Sequence, residues 1–114
     1  MIQNKRVSQP TVPRAFHLPS LNGHELFEIT VDEIQHLYSS QAFTATDYTQ
    51  FCLDGIQSVN PYLEAVIETN PDALQVANEL DQERQQGTVR GPLHGIPVLV
   101  KDVGALSSLT YLCS

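Results

Sequence analysis

Tryptophan is absent from the 114 residues and aromatic side chains make up only 7% of them, so a core must be built mainly from Leu, Ile, Val and Ala. Cysteine is scarce. Cys52 and Cys113 form no CxxC pair and are too few for a disulfide framework, which reads as free thiols in a reducing compartment. Long apolar runs are missing too: the longest, Ile96 to Val100, falls far short of the ~20 residues that cross a bilayer. The first residues are polar, without the apolar stretch of a secretory leader, and no Asn sits in an N-x-Ser/Thr sequon. These absences point to a soluble chain, cytoplasmic by default, with no membrane partner. Basic residues are few, six against thirteen acids, for a net charge of −7. Such a surface repels a phosphate backbone, so a nucleic-acid partner is excluded. The four histidines, at 17, 24, 36 and 94, lack ligand spacing, and no metal site is expected.

What remains is an ordinary globular composition, 41% hydrophobic, enough for one small domain. Its charge is uneven: residues 28–83 hold eleven acids and no Lys or Arg, while the flanking parts are each net basic. A solvated helical face accounts for that span, and a docking surface for a basic partner is the alternative.

Residues 1–27 contain Pro10, Pro13 and Pro19 without sustained periodicity and read as an extended N-terminal arm. Thr30 and Glu33 have the spacing of a capping box, opening a short helix with Ile34 and Leu37 on one face. A second start lies at Thr44 to Asp47, followed by Tyr48, Phe51, Cys52, Ile56 and Val59 at helical spacing. Asn60-Pro61 is expected to stop that helix. Residues 62–69 alternate Leu63, Ala65 and Ile67 against Glu64 and Glu68, the pattern of a strand. Asn70-Pro71 then opens a third helix running to about Gln86, with Ala73, Val76, Ala77 and Leu80 inward and Gly87 as its stop.

The densest feature is Gly91-Pro92-Leu93-His94-Gly95-Ile96-Pro97-Val98-Leu99-Val100-Lys101-Asp102. It is a Gly/Pro loop feeding an apolar strand, expected to be buried on both faces, that ends in a Lys-Asp pair. Two readings of Lys101 stand side by side. It is either a structural lysine that snorkels and pairs with Asp102, or a desolvated amine suited to act as a base. A phosphate-binding loop is excluded, because that motif follows a strand and places Ser or Thr after the lysine. His94 is expected to order the loop, not to react.

This twelve-residue run resembles the segment that opens the amidase signature family. The upstream order from about residue 28 is similar as well, including Asn60 to Glu68 and the Asn70-Pro71-Asp72-Ala73 helix start. The resemblance implies an α/β fold of which residues 28–102 are the N-terminal part, with helices packed on one or two strands of an incomplete mixed sheet. Residues 103–114 form a divergent tail. It further implies hydrolysis of amide C–N bonds in small-molecule amide substrates by a Ser-Ser-Lys triad, without metal or organic cofactor. The base falls on Lys101, acting through a bridging serine on a nucleophilic serine. Asp102 supports it by charge balance, and Gly91, Gly95 and Pro97 shape the loop. The serine pair lies in a downstream Gly/Ser-rich segment of the family. Here Ser107 and Ser108 lack that context, and after Asp102 the pattern is lost, as a frameshift, retained intron or early stop would produce. The expectation is therefore a truncated, inactive chain whose strand edges are left uncovered. The alternative is a non-catalytic acidic helical interaction module.

Overall fold

A computed structural model of the chain describes residues 19–101. They form three helices: α1 over Val31–Ser39, α2 over Ala45–Leu63 and α3 over Ala73–Gln85. The expected starts of α1 and α2 are met in atomic detail. The Thr30 hydroxyl accepts from the Glu33 amide at 3.2 Å and the Glu33 carboxylate accepts from the Thr30 amide at 3.4 Å, closing a capping box on α1. Thr44 and Asp47 repeat it on α2, with both bonds at 3.1 Å. Asp81, from the far end of α3, adds to this cap. Its two oxygens accept from the backbone amides of Ala45 (2.8 Å) and Thr46 (2.9 Å) and from the Thr46 hydroxyl (2.7 Å). One carboxylate thereby satisfies orphan donors of α2 and locks α3 against its positive end. At the end of α3, Gly87 takes φ +88°, its amide donates to Arg84 O and the Thr88 amide donates to Glu83 O, the Schellman closure expected of a glycine stop.

Three expectations about the helices and the core need correction. Asn60-Pro61 does not end α2, which runs on to Leu63 and terminates at Glu64 in the left-handed conformation. In a helix's last turn proline forfeits only one bond, to the carbonyl of solvent-facing Gln57, and the Glu64 amide still reaches Asn60 O at 2.7 Å. α3 begins at Ala73 rather than at Pro71, because the Asn70 side chain accepts from the Asp72 amide at 2.9 Å and holds residues 70–72 in a turn. The core, finally, is centred on aromatic residues. Tyr38 and Phe43 are buried with Leu26, Ile34, Ala45 and Ala77, and their rings meet edge to face at 5.7 Å. Phe43, Tyr48 and Phe51 continue the contact in a row.

Part of the expected arm packs onto this unit: a turn at Asn22-Gly23 bridges Leu21 to His24, and Leu26 is buried. The two expected strands do not form among the described residues. Residues 64–69 and 97–101 have no neighbouring strand, and Val98, Leu99 and Val100 are exposed where burial on both faces is expected. A segment suited to a sheet becomes a strand only when another supplies the ladder of hydrogen bonds. At Val66 a side chain stands in for that neighbour, since the Asn60 amide both donates to Val66 O (2.8 Å) and accepts from its N–H (2.9 Å).

Candidate active-site segment

The Gly/Pro loop is held by residues that lie far from it in sequence. His94 is only 3% exposed, and both ring nitrogens are used. Its Nδ1 accepts from the Arg90 amide at 3.1 Å, so Nε2 carries the hydrogen that is donated to Leu80 O at 2.9 Å. The Gln35 side chain, on α1, donates to the carbonyls of Pro92 (2.8 Å) and His94 (3.0 Å), while its oxygen accepts from Arg84 on α3. Arg84 also donates to His94 O at 3.3 Å and lies 5.2 Å from the centre of the Tyr38 ring, within cation–π range. The Tyr38 hydroxyl donates to Gly95 O at 2.7 Å. Burial, reinforced by Tyr48 and Asp81 and opposed by Arg84, pushes its pKa well above the ordinary tyrosine range, so it stays a donor. No buried side-chain polar atom among the described residues lacks a partner.

Gly95 is the pivot. Its φ is +76°, and a Cβ there would lie 2.9 Å from the Ala45 Cβ and 3.5 Å from the Tyr38 ring. No side chain fits between the start of α2 and the loop. Gly91, by contrast, has open space around it. Beyond Gly95 the grip ends: the Ile96 amide donates to Leu93 O at 3.0 Å, and no hydrogen bond holds residues 97–101 among the described residues.

These residues border an open apolar groove of about 870 Å³. Tyr48, Cys52, Ile56 and Val59 of α2 and Ala73 and Ala77 of α3 line its helical walls. Burial pushes the Cys52 thiol up, partly opposed by its hydrogen bond with Tyr48, whose hydroxyl is raised to about 12 chiefly by burial. Pro97 and Lys101 line the same groove, with Lys101 exposed at its end. The structure thus brings Gly95, Pro97 and Lys101 into one continuous segment and leaves Gly91 at the outer turn. Asp102, Ser107, Ser108 and Cys113 lie outside the described residues.

Gln35, Tyr38 and Arg84 escaped the reading of the sequence, since nothing local marks Gln35 and Tyr38 as bonding a loop 59 and 57 positions away, or Arg84 as reaching a carbonyl ten positions on. His94 carried a signal in its place between two loop glycines, and it does order the loop.

The Amidase family profile matches residues 47–113. A protein of Schizosaccharomyces pombe that is named among the amidases is 42% identical over 87 residues, 76% of this chain and 15% of its own length. A glutamyl-tRNA(Gln) amidotransferase subunit of Chloroflexus aurantiacus is 40% identical over 80 residues, 69% of this chain and 16% of its own. Among solved structures, the native peptide amidase of Stenotrophomonas maltophilia superposes with a TM-score of 0.59 at 45% identity, over 61% of this chain and 15% of that one. The chain therefore spans about 15% of the length of these relatives. With the profile covering more than half of its residues, and the loop it matches gripped by three elements of the fold, this chain belongs to the amidase family.

Proposed function

We propose that this chain carries the lysine-bearing segment of an amide hydrolase, with Lys101 as the general base and Asp102 as its charge-balancing neighbour. The observation that supports this most is the glycine-pivoted loop, fixed at Gly95 by Tyr38 and Ala45, from which the segment leading to Lys101 departs along an apolar groove. A rigid origin limits where the lysine can go, which a base acting at hydrogen-bond distance requires. The mechanism the family resemblance implies is Ser-Ser-Lys acyl transfer: Lys101 takes a proton through a bridging serine, the nucleophilic serine attacks the amide carbonyl, and water releases the acyl group. The 114 residues contain no Gly/Ser-rich segment to supply that serine pair. This chain alone is therefore inactive on amides, and serine-reagent-sensitive turnover by the purified chain would contradict that.

The role of Lys101 is tested in a chimera in which residues 19–101 replace the matching segment of the S. maltophilia peptide amidase. Lys101→Ala is expected to lower turnover by about 10²–10⁴-fold, the range of a lost general base. Lys101→Arg is expected to fall equally, because a guanidinium keeps the charge but does not give up its proton. Full activity in either variant sinks the assignment.

The base-free span 28–83 favours a second reading, a non-catalytic acidic module. It predicts salt-sensitive capture of a basic protein by this chain, and a clean negative at low salt counts against it.

A further inference from the structure

Three helix-borne side chains converge on the loop from which the Lys101 segment departs. Gln35 and Tyr38 reach it from α1 and Arg84 from the last turn of α3, and between them they occupy the carbonyls of Pro92, His94 and Gly95. Arg84 is the hub: it donates to the Gln35 oxygen and to His94 O and lies over the Tyr38 ring. No carboxylate pairs with it among the described residues. A planar guanidinium matched by neutral oxygens and a ring fixes direction, which a flexible ammonium cannot do. Direction matters at this point of the chain. Six residues lead from Gly95 to Lys101, a reach of up to ~20 Å at ~3.3 Å per residue. A swing of about 5° at the loop would move the far end of such a lever by about 2 Å, and a misplacement of about 1 Å can cost roughly a hundredfold in rate.

We infer that Gln35 and Arg84 are positioning residues for the base: they set the angle at which the chain leaves Gly95 and, through it, where the Lys101 amine comes to rest. This inference rests on the reading of Lys101 as the general base and adds to it two residues that do not line the groove. The close approach of Gly95 to Ala45 bars a side chain but does not grip the main chain, whereas the bonds to the loop carbonyls do. Two substitutions isolate the role. Gln35→Glu keeps an acceptor for Arg84 but sets a carboxylate against the carbonyls of Pro92 and His94, to which Gln35 donates. Arg84→Lys keeps the charge and loses the fork that spans Gln35 and His94 O.

Both are tested in the chimera that carries residues 19–101 in the S. maltophilia peptide amidase. Each is expected to lower kcat about ten- to hundredfold with KM within about twofold, because neither side chain lines the groove that leads to Lys101. The same substitutions are then made on Lys101→Ala. If the clamp works through the lysine, neither lowers the residual turnover of Lys101→Ala any further. A merely structural role lowers it again by the same factor, and that result overturns the inference. Full kcat in both single variants, with Lys101→Ala impaired, overturns the clamp alone, whereas full activity in Lys101→Ala removes the base and this inference with it. A second measurement needs no catalysis and uses the 114-residue chain with Cys113→Ser. A nitroxide on Cys52, which lines the groove together with Lys101, is expected to broaden the Lys101 amide resonance, and Gln35→Glu to abolish most of that broadening. Broadening unchanged by Gln35→Glu overturns the inference whether or not the chimera is active.

Discussion

Around residues 90–96 every buried polar side chain has a partner and the central glycine has no room to spare, whereas a few residues further on the chain runs exposed beside a groove. The two regions share α2 and α3, so helix quality does not separate them. What differs is where their partners come from. The loop is gripped by Gln35, Tyr38 and Arg84, all within the three-helix unit. The segments at 64–69 and 97–101 need a neighbouring strand, and none is present among the described residues. Local order in this chain thus follows the availability of hydrogen-bond and packing partners and not apolar content, since Val98-Leu99-Val100 is a continuous aliphatic stretch and is exposed throughout.

Substitutions should expose this asymmetry. The largest effect is expected for Gly95→Ala, which combines a positive φ with a 2.9 Å approach to the Ala45 Cβ and should cost about 2–5 kcal/mol. Leu99→Ala, in a bulkier and more apolar residue, should stay within about 0.5 kcal/mol. Chemical denaturation of the two variants checks the pair, and equal losses would erase the distinction. Tyr38→Phe removes the donor to Gly95 O and strands a buried carbonyl, an expected loss of about 1–3 kcal/mol. Asp81→Ala uncaps α2 from outside and should cost about 1–2 kcal/mol, visible as a lower Tm with α3 loosened as well. The smallest effect is one of pH. The Tyr48 hydroxyl is raised from its ordinary value near 10 to about 12, so the folded state holds its proton longer than the unfolded chain does. The neutral hydroxyl is therefore tolerated at no cost below about pH 10, and stability is lost as pH rises from 10 to 12. Tyr48→Phe should reduce that alkaline slope of Tm, with Tyr38 and Cys52 supplying the remainder, and an unaltered slope would remove Tyr48 from its cause.

The starts of α1 and α2 were legible because their caps are local. Thr30 with Glu33 and Thr44 with Asp47 each lie within one turn, and their chemistry allows little else. Gly95 was legible as part of a dense motif, and Gly87 as a stop. The end of α2 was misread because a proline's effect depends on how much helix follows it, which the dipeptide Asn60-Pro61 does not reveal. The clamp was illegible for a different reason. Gln35, Tyr38 and Arg84 are ordinary helical residues, and only the tertiary fold brings them to the loop. The expected strands rested on alternation and apolar character, which record a segment's fitness for a sheet and not the presence of one.

Native-state hydrogen exchange on the 114-residue chain tests the central contrast most directly. Slow exchange is predicted at the amides of Arg90, His94 and Ile96, which donate within the clamp, and fast exchange at Val98, Leu99, Val100 and Lys101. Uniform protection from Arg90 through Lys101 would contradict the contrast, because the segment bearing the lysine would then already be covered.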